Sequence, residues 1–224
     1  MLRSNFILTV IAISIFGCKT DKKQVIDNEE ESLPIIEKIA NAHGYDDWKA
    51  VKSIKFTFNV DRDSTHFERS WIWKPKTNEI TSISGQDTLT YLRKQMDSTA
   101  YKANAGFIND RYWLLAPFNL IWDKNSYEYE HTTQATAPIS GQPMQKLTIV
   151  YANEGGYTPG DAYDFYFGDD HLIQEWTFRK GNQAEPSMST TWENYTEQKG
   201  LTLALDHKKK GEPFNLYFTG VEIK

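Results

Sequence analysis

Apolar and polar residues alternate along much of the chain, with the period of two that is typical of a β-strand buried on one face. Ile54, Phe56, Phe58 and Val60 form the first such segment. The same period predicts further strands over residues 67–73, 79–84, 146–151, 163–167, 172–179, 189–195, 201–206 and 214–223. Strands in series with few helices between them predict a largely antiparallel sheet that curls around other elements.

Two segments depart from this alternation. Apolar residues recur at helical spacing over residues 35–40 and predict a leading helix that ends at Gly44. Residues 103–116 (ANAGFINDRYWLLA) lack alternation and predict a central helix. We expect this helix to end at Pro117, because proline disfavours helical backbone in the residue before it. Residues 118–122 then continue as an apolar, irregular segment.

The N-terminus has the features of an export signal. Residues 6–16 form an apolar stretch after Arg3 that is too short to cross a bilayer and suits the core of a signal peptide. The stretch ends in IFGC, and Cys18 is the only cysteine. This pattern resembles the lipobox of bacterial lipoproteins, which implies cleavage before Cys18 and acylation of that residue. The alternatives are an ordinary signal peptide with a chance cysteine at its end, and a cytosolic protein with an apolar start.

The lipobox resemblance divides the chain into three parts. Residues 1–17 would be the signal peptide, and residues 18–32 the lipidated cysteine with a polar, flexible tether. Residues 33–224 would form a single domain, anchored to the membrane through Cys18. Lys19, rather than aspartate, follows the cysteine, and in bacterial lipoproteins this favours the outer membrane, here with the domain facing the periplasm.

Composition and charge narrow the class of protein. Hydrophobic residues make up 39% of the 224 residues, charged residues 25% and aromatic residues 14%, which suits an aromatic-rich globular domain. The net charge of −5 leaves no broad basic field, so we expect no nucleic-acid partner. We expect a monomer.

No established catalytic or metal-binding motif occurs in the sequence. The five histidines lack metal-ligand spacing, and the glycine-rich segment 155–160 lacks the Lys-Ser/Thr of a phosphate loop. We therefore expect no catalytic residue, no metal and no cofactor. One acidic cluster around His171 leaves two interpretations open. Asp169 and Asp170 could form a hairpin turn. Alternatively the cluster, with Asp161, could be functional, either binding a hard cation or using His171 as a base with Asp164 or Asp170 in an envelope hydrolase.

The aromatic residues are the most informative candidates for a binding site. Large rings occupy alternate positions on several predicted strands, and others lie in and after the central helix. The candidates to line a ligand pocket are Phe56, Phe58, Phe67, Trp71, Trp73, Trp113, Phe118, Phe165, Phe167, Trp176 and Phe178. Such rings can equally fill a core, and parity alone does not tell which sheet face is the concave one.

The order of these segments has a counterpart among known families. The segments are AHGYDDWKAVKSIKFTF, NDRYWLLAPFNLIW, DFYFGDDHLIQEWTF, TTWENYTEQKGLTLAL and the terminal VEIK. They resemble a group of Bacteroidota outer-membrane lipoproteins and, more distantly, the LolA/LolB/RseB-like lipoprotein-carrier fold. The resemblance implies an α+β fold, in which an incomplete β-barrel of mostly antiparallel strands holds a leading helix and a central helical plug or lid.

Two functions follow as hypotheses. The first is a lipoprotein that binds an apolar ligand, such as an acyl chain, a lipid or a lipoprotein, in the concave face of the sheet, for transport or sensing in the cell envelope. The second is a non-enzymatic interaction module that holds a protein or glycan partner in the envelope.

Overall fold

The computed structural model describes residues 33–224, which form one compact unit. The predicted signal peptide, Cys18 and the tether lie outside these residues. Within residues 33–224 there are three α-helices: α1 (Ile35–Ala42), α2 (Tyr45–Trp48) and α3 (Ser98–Trp122). A short 3₁₀-helix spans Lys180–Asn182.

The described residues also form twelve β-strands. They are β1 (Ile54–Arg62), β2 (Thr65–Lys74), β3 (Glu79–Ser84), β4 (Asp87–Leu92), β5 (Tyr127–Thr136), β6 (Pro143–Tyr151), β7 (Ala162–Phe167), β8 (Ile173–Arg179), β9 (Met188–Thr191), β10 (Glu193–Gln198), β11 (Leu201–Lys208) and β12 (Phe214–Ile223). One sheet has the order β10-β11-β12-β1-β2-β3-β4, and the other has the order β5-β6-β7-β8-β9. Every pair of neighbouring strands is antiparallel.

The two curved sheets form a barrel that is not closed. β9 and β10 follow one another in sequence and lie at the edges of different sheets, so the chain passes directly from one sheet to the other there. The opposite edges, β4 and β5, are joined through α3 instead of pairing. The predicted α+β class, with mostly antiparallel curved sheet and a central helix, is therefore confirmed.

The central helix is longer than predicted, and its predicted end at Pro117 is wrong. α3 continues to Trp122 through a kink at Leu115, whose φ of −125° and ψ of 23° are not helical. The kink places Pro117 near the start of a new helical segment. Proline is tolerated in the first turn of a helix, because a backbone N–H at that position would have no carbonyl partner within the helix.

The predicted strand over residues 189–195 is in fact two strands. β9 ends at Thr191 and β10 begins at Glu193, and the buried Trp192 stands at the corner between the two sheets. The backbone N–H of Trp192 donates to the carbonyl of Gln174 at 2.7 Å, which keeps the corner attached to the second sheet.

The core lies between the sheets and α3, and one buried charge fixes the helix in place. Asp110 on α3 is 0% exposed. Its carboxylate accepts hydrogen bonds from Arg69 Nη2 at 2.6 Å and from Trp71 Nε1 at 2.8 Å, both on β2. Phe107, one helical turn earlier, packs edge-on against Trp71 and Trp73. These contacts hold α3 against the sheet.

Candidate functional site

Most of the predicted pocket-lining aromatics fill the interior of the fold. Nine of the eleven are buried: Phe56, Phe58, Trp71, Trp73, Trp113, Phe118, Phe165, Phe167 and Trp176. Phe178 is partly buried and packs against the same core, while Phe67 is 48% exposed. Only Trp73 among them lines the cavity between α2, β2 and α3. Most of these rings thus pack against one another in the core and do not line a cavity.

The cavity has a volume of about 400 Å³. Its walls come from α2, from the end of β2, from the segment after β4, from α3 and from the loop between β6 and β7. The lining residues are Trp48, Trp73, Pro75, Arg93, Ile108, Arg111, Trp122, Asp123, Gly156 and Tyr157. The cavity therefore lies between parts of both sheets and the central helix, and its volume falls in the range of small-molecule sites.

Three indole rings form one wall of the cavity. The ring centroid of Trp48 lies 5.4 Å from that of Trp73 and 4.9 Å from that of Trp122. The centroids of Trp73 and Trp122 are 6.0 Å apart. Trp73 Nε1 is buried and has no hydrogen-bond partner within residues 33–224. Rings at these separations form a rigid apolar surface.

Arg111 brings a positive charge to this apolar wall. Its guanidinium carbon lies 5.3 Å from the ring centroid of Trp73, 5.1 Å from that of Trp122 and 5.9 Å from that of Phe107. Its Nε is buried without a hydrogen-bond partner in the described part of the chain. Burial, with a smaller effect from nearby Arg93, lowers the pKa of Arg111 to about 10. The group therefore stays charged at neutral pH.

A second arginine and one carboxylate complete the charged lining. Arg93 Nε donates to Asn104 Oδ1 at 3.1 Å. Asp123 Oδ2 accepts hydrogen bonds from Asn119 Nδ2 at 2.9 Å and from the Tyr151 hydroxyl at 3.2 Å. Two guanidinium groups against one carboxylate leave the lining with one net positive charge.

The loop between β6 and β7 contributes a further wall of the cavity through Gly156 and Tyr157. Tyr157 stacks on Tyr112 with ring centroids 3.8 Å apart and planes 7° from parallel, and its hydroxyl donates to Asn109 Oδ1 at 3.3 Å. Burial raises the pKa of Tyr157, so the phenol is neutral at physiological pH. Gly156 has a φ of +72°, and a Cβ there would lie 2.5 Å from the Tyr151 ring. The glycine-rich segment 155–160 thus lies in a loop between strands and contributes to the site.

The acidic cluster around His171 forms a turn, as one of its two interpretations predicts. The His171 N–H donates to the Gly168 carbonyl at 3.1 Å, and Asp170 Oδ1 accepts from the Leu172 N–H at 3.1 Å. Asp164 is instead paired with Arg179, whose Nε lies 2.9 Å from its Oδ2. No hydrogen bond joins His171 to either aspartate in the described structure.

Two further properties concern the described residues as a whole. No group of three or more His, Cys, Asp or Glu side chains within residues 33–224 is arranged to hold a metal ion. No helix in this range combines the length and the apolar character that crossing a bilayer requires.

The pattern of alternating residues did not single out the charged part of the cavity. Arg111 follows Phe107 by four positions and Ile108 by three, so it lies on the same side of α3 as these apolar residues. The sequence signal that could have pointed to Arg111 is a cation on an otherwise apolar helix face. Arg93 and Tyr157 lie outside regular elements, where no period indicates which way a side chain points.

Comparison with protein-family models and with curated proteins finds no match. Several solved structures are similar in fold. A DUF1329 family protein from Desulfovibrio piger is 12% identical, with 85% of this chain and 92% of that chain covered and a TM-score of 0.48. A LolA superfamily protein from Nitrosomonas europaea is 10% identical, with 87% and 93% covered and a TM-score of 0.49. A Vibrio parahaemolyticus domain named for outer-membrane lipoprotein sorting is 11% identical, with 84% and 92% covered and a TM-score of 0.45. The second of these proteins is named for the LolA superfamily and the third for lipoprotein sorting, the group that the sequence resembles distantly.

Proposed function

We propose that this protein is a lipid-anchored, monomeric and non-enzymatic protein of the cell envelope that binds an apolar chain for transport or sensing. The chain would enter the cavity walled by Trp48, Trp73 and Trp122. The observation that carries the proposal is this cavity of about 400 Å³ with three contacting indoles in its wall. Acylation of Cys18 would hold the domain at the outer membrane, on its periplasmic face.

The physical basis of binding would be the hydrophobic effect. Each buried methylene group contributes about 0.8 kcal/mol, and immobilising the chain offsets part of that gain. A rigid wall adds to affinity because the protein loses little freedom when the ligand enters. The packed rings deeper in the fold would support this wall and would not contact the ligand.

Ligand titration tests the proposal on a chain of residues 19–224. This chain contains the whole compact unit and lacks Cys18, so no detergent is needed. The cavity indoles serve as the fluorescent reporter, and dodecan-1-ol and dodecanoate serve as probes. We expect saturable changes in tryptophan emission with at least one probe.

Filling the cavity provides the matched comparison. Ile108 lines the cavity, so Ile108→Trp should weaken binding at least tenfold. Ile83 is partly buried on β3 and does not line it, so Ile83→Trp should leave the affinity unchanged. Saturable binding that Ile108→Trp leaves intact would contradict the proposed site, and the absence of binding to both probes would contradict the function.

A second candidate function, an interaction module, is favoured by one surface observation. Phe67 is 48% exposed on β2, and the guanidinium of Arg69 lies 5.3 Å from its ring centroid. An exposed ring beside a cation is a common element of protein and glycan interfaces. Loss of an envelope partner in a Phe67→Ser variant that still binds dodecanoate would favour this role.

A further inference from the structure

Arg111 is a partly buried cation whose Nε is fully buried and has no protein partner. Within residues 33–224, no hydrogen bond satisfies its Nε, and no carboxylate oxygen lies within 4.0 Å of its guanidinium nitrogens. By contrast, Arg69 on β2 is paired with Asp110 of α3. Buried polar groups are nearly always hydrogen-bonded, so an unsatisfied donor at a cavity wall calls for a partner that comes from outside.

The rings around Arg111 leave its donors free. Cation–π contacts with Trp73, Trp122 and Phe107 use the faces of the aromatic rings and none of the guanidinium N–H groups. They compensate part of the cost of holding a charge in an apolar place. They also fix the position of the guanidinium, so that its planar set of donors is presented to the cavity in advance of binding.

The cavity lining as a whole is positively charged, as Arg111 is. Arg93 lies on the cavity wall as a second cation, while Asp123, the one carboxylate there, is engaged by Asn119 and Tyr151. The cavity thus combines a net positive charge with an apolar wall. A neutral apolar ligand would leave the Arg111 donors unpaired and out of water, which is costly.

We propose that Arg111 receives the anionic head group of an amphiphile whose chain lies against the three indoles. This inference rests on the proposed function and specifies its ligand class. The head group would be a carboxylate or a phosphate, because both offer two oxygens that match the planar guanidinium fork. Arg93 adds a second positive charge at the same end of the ligand.

The test compares head groups at constant chain length, on the chain of residues 19–224. The probes are dodecanoate, dodecyl phosphate and dodecan-1-ol, with acetate and inorganic phosphate as anions that carry no chain. We expect at least one of the two anionic amphiphiles to bind tenfold or more tightly than the alcohol. The chain-free anions should bind far more weakly than either.

Variants connect this preference to Arg111. Arg111→Met removes the charge at similar length and should bring the affinities for dodecanoate and dodecan-1-ol within about twofold of each other. Arg111→Lys should keep part of the preference. Arg62→Met is the matched control, because Arg62 also makes a cation–π contact, with Phe214 at 5.6 Å, but is exposed and outside the cavity.

The outcomes separate this inference from the proposed function. Equal affinity of the unaltered protein for dodecanoate, dodecyl phosphate and dodecan-1-ol would overturn the head-group inference and leave apolar binding standing. Binding of acetate or phosphate as tight as that of the amphiphiles would support an anion site and overturn the apolar function. The absence of binding to all five probes would overturn both.

Discussion

At the scale of single residues, the charged groups on α3 divide into paired and unpaired ones. Asp110 is fully buried and bonded to Arg69 and Trp71, so its role is to join α3 to β2. Arg111, the next residue, has three aromatic neighbours and no acceptor in the described chain. The first arrangement is typical of a structural contact, and the second of a binding site.

The structural role of Asp110 leads to a stability prediction. Asp110→Asn removes the charge that balances Arg69, and breaking such a pair from one side should lower the free energy of unfolding by about 3 kcal/mol. Glu222→Gln is the matched control, because Glu222 pairs with Lys55 at an exposed site and should change stability by less than about 1 kcal/mol. Urea unfolding measures both. Equal effects of the two variants would contradict the structural role of Asp110.

Two buried histidines predict how stability depends on pH. Burial lowers the pKa of His207 to about 3 and that of His43 to about 4, whereas unfolded histidine titrates near 6.5. Between these values the unfolded chain binds protons that the folded chain does not. Stability is therefore full above pH 6.5 and falls as the pH falls toward 4, by about 1.4 kcal/mol per pH unit for each histidine near pH 5.

Replacing one histidine should reduce that slope. His207→Gln removes one of the two contributions, so unfolding free energies measured between pH 7 and pH 5 should fall less steeply than in the unaltered protein. His131→Gln, at an exposed position, should leave the slope unchanged. An unaltered slope in His207→Gln would mean that His207 is not held neutral by burial.

At the scale of elements, sequence periodicity located the strands that have one buried face. The ranges 54–60, 146–151 and 214–223 all lie within observed strands. The range 163–167 also lies within a strand, β7, whose residues are all buried. β5 did not stand out, because it is an edge strand whose residues are mostly exposed on both faces. Without a buried face there is no alternation to detect.

Corners and kinks depend on contacts that local patterns do not contain. The alternation at 189–195 continues through Trp192, although the chain changes sheets there. Pro117 suggested the end of a helix, yet the kink at Leu115 allows α3 to continue. Most of the aromatic candidates are buried and Phe67 is exposed, but whether a buried ring fills a core or lines a cavity depends on what packs against it.

The loop between β6 and β7 gives a prediction at this scale. Gly156→Ala should destabilise the protein by about 3 kcal/mol, because alanine is disfavoured at positive φ and its Cβ would collide with Tyr151. Gly141 also has positive φ, at +74°, but nothing lies within 4 Å of a Cβ there. Gly141→Ala should therefore cost about 1–2 kcal/mol. Thermal unfolding of both variants compares the two, and equal losses would mean that the Tyr151 contact has no effect.

At the scale of the whole molecule, the fold brings one cavity to the place where parts of both sheets meet α3. Its wall combines contacting indoles with an unpaired guanidinium, and the surrounding interior is closely packed with aromatic rings. This cavity therefore offers a binding place beside the packed aromatic interior. Anchorage through Cys18 would keep this place close to a membrane, where amphiphiles are abundant.

The most direct test of this account is native mass spectrometry of residues 19–224, secreted to the periplasm and purified without detergent. We expect a bound species with the mass of an anionic amphiphile, at one per chain, and we expect Ile108→Trp to remove it while Ile83→Trp retains it. A protein that carries no bound species, and gains none on incubation with dodecanoate or dodecyl phosphate, would contradict the central claim that the cavity is a ligand site.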